Sequence, residues 1–259
     1  MASAPGKVVL FGEHAVVYGH PAISASISQR TTVSVQALDE PGLHLNHMKV
    51  NPARHPHLTS LMHRLWNDSV AKGVDVSVQS DVPRGAGLGS SAAFAVASAT
   101  ALRAASGRWV DADTGAWHEG YPSDGSEVGL FEGEAREPLR TDTSVRVHGQ
   151  AAVSAEEASL LGHIGEALSQ EGRASPMDTM TSAYGGLVML SNRVEDESTW
   201  VMKRTMPMGD EQRTWDLHHL GEFHLEDGLS LVVGHTGINA PTTHMVCLLY
   251  TSPSPRDRG

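Results

Sequence analysis

A chain of 259 residues, 40% hydrophobic and 19% charged, has the composition of an ordinary globular protein and can bury a substantial core, as one large or two modest domains. Its formal net charge of −11 argues against a general nucleic-acid or anionic-membrane surface, so any phosphate site must be local, built from amides, a few cations and a metal. No signal-peptide pattern or long apolar run is present and the single Cys247 has no partner for a disulfide or a cysteine-based metal site, so a cytoplasmic protein with neither nucleic-acid nor membrane partner is expected.

In chain order, Lys7 to Phe11 is an apolar run bounded by Pro5-Gly6 and Gly12, which reads as a buried strand. A loop with charge at its centre, Gly12-Glu13-His14 to Pro21, leads into Ile23 to Leu38, where alternating Ile, Val, Ser and Thr predict one long strand or two in succession. From Pro56 to Lys72 the apolar residues Leu58, Leu61, Met62, Leu65 and Val70 fall mostly on one helical stripe. Val74, Val76 and Val78 alternate with polar residues, the period of a half-buried strand.

The stretch around which the chain is organised follows: Pro83-Arg84-Gly85-Ala86-Gly87-Leu88-Gly89-Ser90-Ser91-Ala92, then a small-residue helix to Ala105. Three glycines in five positions let the backbone approach a ligand closely, and Ser90 or Ser91 can cap the helix. A helix N-terminus of this kind favours an anion, most commonly phosphate. Taken alone, such a loop often binds nothing. It is not a Walker A loop, since no lysine follows the last glycine, and its spacing is not that of a dinucleotide fingerprint.

Residues 107 to 150 hold nine acids against four arginines and little hydrophobic periodicity, the pattern of an exposed excursion or a poorly ordered loop. Ser154-Ala155-Glu156-Glu157 is a capping box, and Leu161, Ile164 and Leu168 continue it as a helical stripe. A loop carrying Asp178 comes next, then a strand ending at Leu190. Further strands are expected over Val201 to Met206 and Leu229 to Val233, separated by a polar segment, and Gly237 to Thr243 reads as the start of a helix running through Leu249. The histidine pairs His55/His57 and His218/His219 lack zinc-ligand spacing. The alternation of strand-rich stretches with single helices predicts an α+β sandwich, helices covering one face of a mixed sheet.

Four stretches stand together: Lys7 with Gly12-Glu13-His14, the glycine loop, Ser175-Pro176-Met177-Asp178, and Gly234-His235-Thr236-Gly237. Jointly they resemble the GHMP kinases, whose second motif, Pro-x-x-x-Gly-Leu-Gly-Ser-Ser-Ala, is matched completely from Pro83 to Ala92. Within that family the run Gly6 to Gly19 is most similar to the mevalonate kinases, particularly the archaeal type. The resemblance covers about Ser3 to Val246, apart from the 107–150 excursion.

That resemblance implies a two-domain fold, with an N-terminal α/β domain over residues 1–170 and part of a ferredoxin-like C-terminal domain over 171–250. It implies ATP-dependent phosphorylation of the 5-hydroxyl of (R)-mevalonate in isoprenoid biosynthesis, with ATP and Mg²⁺ required and a homodimer left open. ATP binding would fall to Pro83, Gly85, Ala86, Gly87, Leu88, Gly89, Ser90, Ser91 and Ala92. Asp178 would be the base and Lys7 would contact both Asp178 and the alcohol, a nearby cation favouring the anionic forms. Ser91 would ligate the metal, and Glu13, His14 and Thr242 would lie near the substrate. The family adds a metal-binding Glu on the helix before Asp178. Here Ala167 stands at the expected spacing, so a one-residue shift to Glu166 is assumed, Glu171 being the other candidate.

Nothing after Val246 resembles the family's third, glycine-rich motif, and 251–259 reads as sequence foreign to it. An incomplete C-terminal domain is therefore expected, which leaves open whether the chain as written is active. Two rival readings follow: another GHMP kinase acting on a related hydroxy acid or phosphomevalonate, and a non-catalytic nucleotide-binding remnant.

Overall fold

The computed structural model describes residues 1–13, 16, 20–66, 73–106, 109–110, 117–118, 146–147, 153–169, 175–208, 211–222 and 231–234. Its spine is one long strand, β2 (Ala22–Leu38), paired over Ile23–Val33 with antiparallel β1 (Ala2–Phe11). On its other side β2 pairs β9 (Leu187–Ser191) over Ala22–Ala25 and β5 (Gly73–Ser80) over Thr31–Leu38. The alternative of two successive strands over 23–38 is thus resolved as one. The sheet continues outward through parallel β3 (Gly42–Leu45) to β4 (Met48–Lys49) on one side. On the other it continues through antiparallel β11 (Glu211–Gly221) to β10 (Trp200–Met208).

The excursion expected over 107–150 falls largely outside the described residues. Its described parts are a small ladder of β6 (Trp109–Val110) with β7 (Trp117–His118), and β8 (Arg146–Val147), which returns to pair with β1.

Among the described residues four α-helices complete an α+β architecture: α1 (Pro56–Leu65), α2 (Ser90–Ser106), α3 (Ala155–Ser169) and α4 (Met177–Tyr184). The predicted stripe buries Leu58, Leu61 and Leu65 of α1 against Val33, Val74, Val76 and the alanine-rich α2. A second cluster gathers Met177 and Met180 of α4 with Ala22, Val188, Leu190, Trp215 and Leu217. Helices α2 and α3 approach closely because α3 offers a glycine at the contact: a Cβ on Gly162 would lie 2.6 Å from a Val96 methyl.

Several local expectations are corrected. Strand β1 starts at Ala2 rather than Lys7, with Pro5-Gly6 inside it at a register shift, and Phe11 is exposed rather than buried. Helix α1 ends at Leu65, where Trp66 turns extended; 67–72 lie outside the described residues. Helix α2 begins with the Ala93 amide bonded to the Gly89 carbonyl at 2.9 Å, so Gly89 holds the cap position and Ser90 and Ser91 fall in the first turn. Asp178 lies in the first turn of α4 rather than in a loop. Residues 231–233 form no strand, and Glu211–Gly221, between the two expected strands, is strand β11.

The capping box is half made. Ser154 accepts the Glu157 amide at 3.1 Å, but the Glu157 carboxylate takes the Arg103 Nε at 2.7 Å instead of reaching back. A buried guanidinium outcompetes a backbone amide for a carboxylate, because the charge-assisted bond is the stronger.

Also on α3, His163 is 5% exposed, and burial pushes its imidazole down to about 4. An unfolded imidazole titrates near about 6.5, so between these values the unfolded chain holds the extra proton and stability rises with pH. The contribution of neutral His163 is complete above about pH 6.5 and lost as pH falls toward 4, about 3 kcal/mol in full. Urea unfolding between pH 7 and 4.5 should show this slope, and His163→Leu should flatten it; an unchanged slope in the variant would assign the acid limb to other groups.

Candidate active site

Strand β1 and the glycine loop meet edge to edge. The Lys7 amide donates to the Leu88 carbonyl at 2.9 Å, and a Cβ on Gly6 would fall 2.6 Å from that same oxygen. Gly89 carries φ +69°, and a Cβ there would lie 2.6 Å from Lys7 Cγ. Only a glycine fits this close approach in a left-handed conformation. Gly85 and Gly87 also have positive φ, so the loop coils over Lys7 and delivers Ser90 and Ser91 to the start of α2.

Two polar pairs result. The Lys7 ammonium, on a 5% exposed side chain, lies 3.1 Å from Asp178 Oδ1, whose side chain is 29% exposed. Buried lysine and accessible carboxylate form an ion pair with one open side. Beside it, the Ser91 hydroxyl donates to Glu166 Oε1 at 2.8 Å, bringing the first turn of α2 to the last third of α3. Glu166 is 2% exposed and Ser91 is exposed. Of the two glutamates left open by the sequence, Glu166 is the one shown against Ser91; Glu171 lies outside the described residues.

The remaining loop residues, Pro83, Gly85, Ala86, Gly87 and Leu88, run from β5 to α2, with Leu88 packed inward and Ala92 buried in the helix. Glu13 is exposed after Gly12, whose φ of +79° turns the chain out of β1. His14 and Thr242 lie outside the described residues.

A serine hydroxyl beside a glutamate carboxylate is a hard-oxygen donor set, the kind Mg²⁺ takes when it shares its shell with phosphate oxygens and water. Among the described residues no cluster of three or more His, Cys, Asp or Glu could hold a metal by itself. No helix among the described residues is long and apolar enough to cross a membrane.

Sequence reading did not single out three polar residues that brace this site. Ser24 of β2 and Thr181 of α4 are both fully buried and hydrogen-bonded to each other. Arg103 was legible in hindsight as the only charge in α2.

Comparison with known proteins agrees with the geometry. The model of the GHMP kinases N terminal domain matches residues 57–116, which contain the glycine loop. The mevalonate kinase of Archaeoglobus fulgidus is 42% identical over 106 residues, 40% of this chain and 37% of the relative. That of Methanothermobacter thermautotrophicus is 33% identical over 200 residues, 74% of this chain and 50% of the relative. The chain thus spans half or less of the length of these curated relatives. Among solved structures, the Methanococcus jannaschii mevalonate kinase aligns with a TM-score of 0.48 at 23% identity, over 74% of this chain and 53% of that one, a likeness on which the assignment does not rest. With the Pro83–Ala92 loop seated on Lys7 and lying inside the matched stretch, residues 57–116 belong to the GHMP kinase N-terminal domain family.

Proposed function

We propose that this chain carries the catalytic half-site of an ATP-dependent kinase that phosphorylates the 5-hydroxyl of (R)-mevalonate. The observation that carries the reading is the Lys7–Asp178 pair, 3.1 Å apart, packed directly under a glycine loop that opens a helix. The names of the archaeal relatives supply the substrate.

Phosphoryl transfer asks a protein mainly for position and charge. The loop from Pro83 to Ala92 would offer its amides and the α2 N-terminus to the phosphates. Asp178 would accept the proton of the alcohol as its oxygen bonds to the γ-phosphorus and the bond to the ADP oxygen breaks. Lys7 would hold Asp178 ionised and in place and meet the alcohol oxygen from the other side. Ser91 and Glu166 would hold Mg²⁺, which when bound neutralises charge on the phosphate oxygens. Glu13, His14 and Thr242 would contact the substrate.

The test is a substrate panel. With Mg·ATP, ADP release should depend on mevalonate and be weak with 5-phosphomevalonate, homoserine or galactose. Preference for one of those alcohols would move the chain to a sister activity, and nucleotide binding without any turnover would leave it a binding module.

A further inference from the structure

We infer that the buried hydroxyl pair Ser24–Thr181 is a positioning device that sets the seat of Asp178 against Lys7. The inference rests on the proposal that Asp178 takes the alcohol proton.

Helix α4 is only eight residues long, and its N-cap, Pro176, contributes no side-chain cap hydrogen bond. A short helix without a cap has little stability of its own, so its register must come from tertiary contacts. At its far end Gly185 closes the helix through its amide to the Thr181 carbonyl at 2.9 Å, and the Gly186 carbonyl accepts the Ser26 amide at 2.9 Å. Two polar tethers join α4 to the sheet, Lys7–Asp178 in its first turn and Ser24–Thr181 at its middle.

Both tethers rise from one face of the sheet. Lys7 stands opposite Ser26 in the β1–β2 register and Ser24 is two residues from Ser26, so Lys7 and Ser24 point to the same side. On the helix Asp178 and Thr181 are three residues apart and share a face. Polarity is fixed as well. The Thr181 hydroxyl donates its one proton to the Met177 carbonyl at 2.8 Å, so the proton between the two hydroxyls belongs to Ser24. The chain of bonds therefore runs from strand β2 through Thr181 to the carbonyl of Met177, the residue before Asp178. Thr181 is 0% exposed and reaches no reacting group, so it acts through Asp178.

The full chain is tested with Thr181→Val, which keeps the shape and removes the hydroxyl, Thr181→Ser, which keeps the hydroxyl, and Ser24→Ala, a milder change should Thr181→Val fail to fold. Two readouts are taken: amide hydrogen exchange, and kcat separated from KM for ATP and mevalonate. Thr181→Val removes both hydrogen bonds of the hydroxyl and should speed exchange across 178–184 by about tenfold or more, while β2 and β5 stay protected. It should lower kcat by about tenfold or more with KM for ATP within about twofold, because the lost alignment matters in the transition state. Thr181→Ser should stay near wild type, and Ser24→Ala should move in the direction of Thr181→Val. Equal impairment of Thr181→Val and Thr181→Ser, or α4 exchange unchanged in Thr181→Val or Ser24→Ala, would overturn the inference. If the unaltered chain shows no mevalonate-dependent turnover, the proposed function fails, and the exchange arm decides the positioning role by itself.

Discussion

Asp178→Asn lowers kcat by at least about 10²-fold and leaves nucleotide binding nearly intact: this is the expected result for a carboxylate that receives the alcohol proton. The amide keeps the size of the side chain and a hydrogen-bonding oxygen for Lys7, 3.1 Å away in the parent, but it has no basic site for a proton and no charge to hold the ammonium. The glycine loop is seated on Lys7 and the substitution changes no residue of the loop, so the phosphate cradle should survive. Steady-state kinetics beside titration with a fluorescent ATP analogue separates the two effects. A variant with near-parental turnover would remove Asp178 from the base role and leave the Lys7 pair as a structural brace.

The largest stability effect is expected between helices α2 and α3. Arg103 of α2 donates its Nε–H to Glu157 of α3 at 2.7 Å, with side-chain exposures of 0% and 2%. Such a pair contributes little net stability compared with apolar residues of like volume, since desolvating two charges offsets their attraction. Removing one member is different. Glu157→Ala strips a fully buried guanidinium of this carboxylate and opens a gap, and should cost about 3–5 kcal/mol. The double change Arg103→Met with Glu157→Leu should return most of that loss. Urea unfolding of the single and double variants checks both statements, and a single-variant cost below about 1 kcal/mol would show that the pair is not held as buried ions.

This pair bears on the site through geometry. Ser91 and Arg103 stand at opposite ends of α2, and their partners Glu166 and Glu157 follow the reverse order on α3. Two polar pins therefore fix antiparallel helices at both ends, with the Gly162–Val96 contact between them. The register that places Glu166 on Ser91 is the register that places Glu157 on Arg103.

The sequence was most informative where one physical signal dominated. Alternating Val74, Val76 and Val78 marked β5, the alanine-rich run marked α2, and the stripe at Leu58, Leu61 and Leu65 marked α1. The Lys7, Ser91 and Asp178 positions came from motif resemblance, because nothing in local periodicity says that residues 171 positions apart meet.

Strand β11 was hidden for a different reason. Its residues Trp215 to His218 are all buried, and two of them are polar. Asp216 accepts the Trp200 indole N–H at 3.0 Å, while His218 accepts the Glu195 amide at 3.3 Å and bonds the Thr199 hydroxyl at 3.0 Å. Hydrogen bonding let polar residues into the interior and erased the alternation that marks a strand. The Glu157 side chain was misplaced on the same ground, since its partner Arg103 is 54 residues away and a capping box considers only neighbours. The Ser24–Thr181 pair, 157 residues apart, gave no local sign at all.

In the proposed reaction Lys7 and Asp178, beneath the glycine loop, support transfer of the γ-phosphate of ATP to mevalonate. Its most direct test is to follow label from [γ-³²P]ATP into mevalonate with Mg²⁺ present, for the chain and for Asp178→Asn side by side. A labelled phosphate monoester at the 5-hydroxyl is expected from the parent chain and at least about 10²-fold less from the variant. Label transfer that is equal in the two proteins, or no transfer to mevalonate by the parent, would contradict it.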